Sequence, residues 1–244
     1  MSDFNEFDEQ GSVPGRDTGS IISHAFEMYK GVILYAAVAM VIYLIGDFFL
    51  QSISGFHYWS SFSDYQDFDG DYSRINYLHR PGISMYSTGY GLLSILFSPL
   101  FVGLIYIANK FNTKIAIEFS DLFIGYRQNL GNILLYSLII NIILGISLFM
   151  CIVPIFFVFP LFFIGYPVLL FENATAIEAL SKTYHIAKEN YGVFLGSAIL
   201  GILISIAGVV LCCVGIIFTY PFIYIAMYSV YCAYLGKPRQ ITYK

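Results

Sequence analysis

Asp47 is the single acid inside the apolar stretch YAAVAMVIYLIGDFFL, which makes it the first residue whose chemistry needs an account. A carboxyl group in hydrocarbon is a functional candidate by default, because placing it there is costly. Gln51 and a polar stretch follow one turn later, so a carboxyl reaching interfacial water is the favoured role. An intramembrane functional group is the alternative. Asn141 sits in the middle of a second apolar stretch, where an amide serves as interhelical glue. Proton relays and coupled-ion pathways use several intramembrane ionisable groups. The apolar stretches hold no Lys, Arg or His, which disfavours an ion-driven pump. The motifs G-x-S-x-G, Walker A, C-x-x-C and H-E-x-x-H do not occur in the sequence. The expectation is a protein that is not an enzyme and that carries neither cofactor nor metal.

The remaining metal-type side chains fit that expectation. Asp64, Asp67, Asp69 and Asp71 cluster around Gly70, but an EF-hand register would need an acid at Tyr65 and a bidentate Glu where Asn76 stands. A solvated acidic loop is the better reading. His57 and His79 have no ligand partners at zinc spacing.

The elements that would position such residues follow from composition. Of 244 residues, 58% are hydrophobic and 11% charged, with mean hydropathy +0.72. A soluble domain carries roughly 25% charged residues, so this chain cannot coat itself for water. The net charge is −4 and basic runs are missing, which argues against nucleic acid as a partner and leaves membrane lipid as the surrounding. From Gln128 to Phe171, and again from Gly192 to Gly236, there is no Asp, Glu, Lys or Arg. A span needs about 20 apolar residues, so each run holds two. Six spans are predicted, at 31–50, 89–109, 131–150, 154–171, 192–212 and 216–236. Residues 1–19 read as a disordered acidic tail (Asp3, Glu6, Asp8, Glu9) without a signal-peptide core. Residues 51–88 read as an outer insertion, and 237–244 as a C-terminal tail. Lys and Arg concentrate on one side: Arg16, Lys30, Lys110, Lys114, Arg127, Lys182, Lys188, Lys237, Arg239 and Lys244, against Arg74 and Arg80. Both termini are therefore expected in the cytoplasm.

Internal similarity organises the spans. The segments IEFSDLFIGYRQNLG and IEALSKTYHIAKENYG align at an offset of 61, matching Ser120 with Ser181, Arg127 with Lys188, and Gly131 with Gly192. The same offset relates Pro99, Pro160 and Pro221, which are expected to kink or begin their helices. Three parallel hairpin repeats are predicted, 20–109, 113–171 and 174–236, each preceded by an amphipathic interface helix. The apolar stripes are Ile22, Phe26 and Tyr29; Ile115, Phe119, Leu122 and Tyr126; and Ile177, Leu180, Tyr184, Ala187 and Tyr191. Glu178 and Lys182 form a favourable i,i+4 pair on the last of these. Ser197, Gly201, Ser205 and Gly208 form a small-residue stripe suited to close helix packing. Cys151 and Cys212 occupy equivalent turns, and a disulfide between them is an alternative to buried thiols there and at Cys213 and Cys232.

The segments DLFIGYRQNLG, IGYPVLLFE and AIEALSKTYHIAKENYGVF together resemble a widespread group of uncharacterised bacterial membrane proteins. They are similar also to the membrane domain attached to some glycerophosphodiester phosphodiesterases. The resemblance covers about 115–236. It implies a bacterial inner-membrane protein, without the phosphodiesterase barrel and hence without that reaction. The expected function is a non-catalytic scaffold or accessory component of the cell envelope with a possible envelope protein partner. The alternative is a transporter or flippase for a lipid-like or other amphipathic substrate.

Overall fold

The structure is a computed structural model and describes residues 11–57, 82–150, 153–211 and 215–236. Among the described residues every regular element is helical. In chain order these are α1 (Thr18–Ser54), α2 (Ile83–Asn112), a 3₁₀ turn (Phe119–Phe123), α3 (Ile124–Arg127), α4 (Leu130–Phe149) and α5 (Val153–Val158). A 3₁₀ stretch (Phe159–Phe162), α6 (Gly165–Phe171), α7 (Ala176–Glu189) and α8 (Tyr191–Ala207) follow. A third 3₁₀ stretch (Gly208–Leu211) leads to α9 (Gly215–Thr219) and α10 (Phe222–Leu235). Among the described residues five segments are long and apolar enough to cross a bilayer, or six if α7 and α8, bent by 106°, count as one broken span. The described residues are thus all-helical in their regular elements and of multi-pass membrane character. It forms two compact units, Val41–Phe97 and the combination of Met1–Met40 with Ser98–Lys244.

In the larger unit, α1 starts where the Asp17 carboxylate accepts the Ser20 N–H at 2.9 Å, an N-cap bond. Those Ser20 bonds hold the Asp17 carboxyl below its ordinary value. The cap is therefore intact above the usual Asp range and lost as pH falls through the lowered value. Amide protection at Ser20 should drop across that acid window in wild type, and Asp17→Ala should remove the pH dependence. At 37 residues α1 is about 55 Å long, well beyond the ~30 Å hydrocarbon core. The expected interface helix at 20–30 and the first span are one continuous helix. Gly31 does not break it, because its bare backbone faces the Phe111 ring, which lies where a Cβ would stand.

The expected helix over 114–128 is not formed as one piece. Lys114 is left-handed (φ 57°), residues 115–118 are non-helical, and only the 3₁₀ turn and the single turn of α3 remain. The physical reason is close approach. A Cβ on Gly103 would stand on the Leu122 carbonyl, and one on Gly125 on the Pro99 carbonyl, so α2 and the 119–127 segment touch backbone to backbone. Gly103→Val should separate them at a cost of about 1–3 kcal/mol, measurable as a lower unfolding midpoint in mixed micelles.

The third interface helix exists as α7. Thr175 Oγ accepts the Glu178 N–H at 3.3 Å and the Glu178 carboxylate accepts the Thr175 N–H at 2.8 Å, a capping box. This occupies Glu178, and Lys182 bonds Glu172 at 2.5 Å instead of the expected i,i+4 partner. The predicted apolar stripe, expected to face lipid, shares only Ala187 with the residues of α7 buried against the protein. Ala176, Ala179, Thr183 and Ala187 are buried, whereas Ile177 is 64% exposed and Tyr184 is exposed too. Small side chains allow α7 to lie close on α4, α6 and the Phe159–Phe162 stretch. Asn190 then ends α7 and starts α8: its side chain donates to the Ile186 carbonyl, and its own carbonyl accepts from Val193 and Phe194.

In the smaller unit, the C-terminal part of α1 lies along the N-terminal part of α2. Tyr43 meets Phe97 edge-on at 5.7 Å, and the Gly89 backbone takes the Leu50 side chain. Helix α1 continues to Ser54 and α2 begins at Ile83, so the insertion predicted over 51–88 is shorter than expected at both ends. The acidic cluster Asp64–Asp71 and His79 lie outside the described residues, as do Cys151, Cys212 and Cys213.

Candidate functional site

The densest polar grouping in the larger unit lies where the chain enters α1. Asn112, the last residue of α2, is buried. Its Oδ1 accepts the Ser12 N–H at 2.7 Å, and its Nδ2 donates to the Ser12 carbonyl at 2.9 Å. One amide side chain thereby pairs with both main-chain groups of one residue. Asn112 Nδ2 also donates to the Tyr228 hydroxyl at 3.0 Å, and that hydroxyl donates to Asn109 Oδ1 at 3.0 Å. His24 completes the cluster. Its Nε2 lies 3.2 Å from the Ser12 carbonyl and its Nδ1 lies 2.9 Å from the Ser229 hydroxyl. A carbonyl only accepts, so Nε2 carries the hydrogen; in the neutral ring Nδ1 then accepts from the Ser229 hydroxyl. Further along the entering strand, Arg16 donates to the Ala233 carbonyl at 3.2 Å and lies over the Tyr234 ring. Residues 11–17 were expected within a disordered tail; they are a strap, held chiefly through main-chain hydrogen bonds.

A second polar feature ties α2 to the following segment. Lys110 Nζ bonds both oxygens of Asp121, at 3.0 and 2.8 Å. Their side chains are 16% and 8% exposed. Asp121 also accepts the Glu118 N–H at 2.7 Å. Its counterpart is the Glu172–Lys182 pair, where the Tyr231 hydroxyl donates to Glu172 at 3.2 Å. An offset of 61 places Asp121 on Lys182 and Lys110 on Phe171, next to Glu172. The two latches thus correspond at the Asp121/Lys182 end and differ by one residue at the other.

The residues singled out by sequence fall as follows. Asp47 is buried in the smaller unit, where Tyr86 donates to one oxygen and Gln51 to the other, both at 2.7 Å. Asn141 is exposed at the chain surface and donates to the Ser137 carbonyl one turn back in its own helix. Pro99 lies inside α2, Pro160 opens a 3₁₀ stretch, and Pro221 caps α10; all three are buried. Gly131 and Gly192 are exposed in the first turns of α4 and α8, with open space where a Cβ would go. Ser197, Gly201, Ser205 and Gly208 are all buried. Gly201 faces Ile223 and Ala226 of α10, Gly208 faces Gly215, and Thr219 donates to the Ser205 carbonyl at 2.8 Å.

Sequence reasoning missed Ser12, His24, Asn109, Asn112, Tyr228 and Ser229. No spacing rule links them, since Ser12 and Asn112 are 100 positions apart. The capping box had a readable signal, Thr175-x-x-Glu178, just before an apolar run. Comparison with protein-family models, curated proteins and solved structures found no match.

Proposed function

We propose that this chain is a non-catalytic scaffold or accessory protein of a bacterial cytoplasmic membrane, with both termini in the cytoplasm. Six spans in three parallel hairpin repeats remain the preferred architecture. Support for the repeats comes from Asp121 and Lys182, which the offset of 61 superposes and which each hold an ion pair, although the partners Lys110 and Glu172 differ by one position. The likeness of 115–236 to uncharacterised bacterial membrane proteins, and to phosphodiesterase-linked membrane domains, belongs to the same reading.

The observation that carries the scaffold reading is the pairing of Asn112 with Ser12. The polar groups of the cluster bond to one another and to the strap, which is the arrangement of an anchor rather than of a reaction centre. The anchor holds the chain at Ser12, shortly after Asp3, Glu6, Asp8 and Glu9 in sequence, the acids that the scaffold reading assigns to recruiting a partner. A narrow cavity lined by residues including Tyr136, Phe162, Tyr166 and Met227 measures about 20 Å³. That is room for about one water, which weighs against passage of an amphipathic substrate there.

Affinity purification from native membranes in mild detergent tests the reading. The wild-type chain should bring down a stoichiometric envelope protein, and neutralising the four acids (D3N, E6Q, D8N, E9Q) should release it. A chain that purifies alone in both forms refutes it.

A further inference from the structure

We propose that the cleft formed by His24, Asn112 and Ala233 is a binding site for an extended peptide main chain, filled in cis by Gly11–Arg16 and able to accept the same segment of a second copy. This does not depend on the scaffold reading.

Three observations support it. First, the recognition is of main chain. Asn112 takes the Ser12 N–H and carbonyl together, and His24 adds a second donor to that carbonyl. The Ser12 hydroxyl adds a longer bond of 3.3 Å to Asn112 Oδ1. Paired main-chain hydrogen bonds are the means by which proteins bind extended peptides. Second, the segment carries its own register marks. Gly11 has φ +115°, a region that L side chains rarely adopt, and Asn112 main-chain and side-chain oxygens stand 3.0 and 3.2 Å from where its Cβ would be. Arg16 fixes the other end on Ala233 and Tyr234. Third, an open groove floored by Met28, Phe111 and Ile115, with Lys114 at its side, continues from Gly11 and Ser12. Ser12 itself is exposed, so the segment lies at the protein surface. A strand supplied by a second copy is chemically identical to the one already seated, and exchange of identical elements is a low-cost route to association.

The tether makes the cis segment a strong competitor, at an effective concentration in the millimolar range. The test uses full-length protein in lipid nanodiscs and a labelled, acetylated heptapeptide of residues 11–17, GSVPGRD. Two variants empty the site by independent routes. Ser12→Pro removes the N–H that Asn112 receives, and Gly11→Val adds a side chain at a positive φ against Asn112. Either should bind the heptapeptide at least about tenfold tighter than wild type by fluorescence anisotropy. Asn112→Ala in the same background should abolish the gain, and a heptapeptide with Pro in place of its Ser should not bind. In the wild-type chain itself, saturating heptapeptide should accelerate amide exchange at Ser12 several-fold. The proposal is overturned if the folded variants bind no tighter than wild type, or bind the Pro peptide equally well. Unchanged Ser12 exchange in wild type under saturating peptide overturns it also, whatever the variants do.

Discussion

Lys110→Met should destabilise the larger unit by about 3–5 kcal/mol, because it leaves the Asp121 carboxylate in a largely buried position without its cation. Asp121 keeps only the Glu118 N–H as a named donor in that variant. Asp121→Asn should cost a similar amount from the other side, stranding the Lys110 ammonium beneath the same segment. The double variant Lys110→Met/Asp121→Asn should recover much of the loss, since Asn still accepts from Glu118 and no charge remains to be paired. A double-mutant cycle by mixed-micelle unfolding should return a coupling of at least about 2 kcal/mol. The matching pair gives the control. Glu172 and Lys182 have side chains 29% and 38% exposed, so Lys182→Met should cost about 1 kcal/mol or less. Equal losses at the two latches would refute the argument that burial decides their worth.

Asn112→Ala is the second large effect, expected at about 3 kcal/mol. It leaves the Ser12 N–H without its acceptor and removes a donor from both the Ser12 carbonyl and the Tyr228 hydroxyl. A net hydrogen bond is worth about 1 kcal/mol, and a polar group left buried and unpaired costs about 1–3. Asn112→Asp separates the parts, because it retains an acceptor for Ser12 N–H and loses the donor that serves the other two. Asn141→Ala should shift stability by no more than about 0.5 kcal/mol, since its side chain is exposed. Amide exchange at Ser12 should rise strongly in Asn112→Ala, less in Asn112→Asp, and stay unchanged in Asn141→Ala. If Asn141→Ala proved the more damaging of the two alanine variants, the cluster would not be the organising polar centre of its unit.

The helical, membrane-type character was legible because it rests on local quantities. Long uncharged runs at Gln128–Phe171 and Gly192–Gly236 exclude a water-facing surface whatever the tertiary arrangement. The start of α7 was equally local, since Thr175 and Glu178 lie three residues apart and satisfy each other. Helical periodicity misled at 114–128, where the Ile115–Phe119–Leu122–Tyr126 stripe has the right spacing but the backbone does not follow it. There the contact of Gly103 and Gly125 with neighbouring carbonyls, and the pull of Lys110 on Asp121, outweigh propensity. On α7 periodicity marked the large apolar side chains but not Ala176, Ala179 and Thr183, which are buried because close packing selects small residues.

Amino-acid order alone thus determined how much of this protein must avoid water, that it does so as helices, and where those helices can begin. Tertiary structure decided which polar groups meet. Ser12 reaches Asn112, His24 reaches Ser229, and Asn109 reaches Tyr228 across more than 99 positions of sequence. Such pairs leave no local pattern, and they form because a polar group carried into an apolar interior must find its partner wherever the fold brings one.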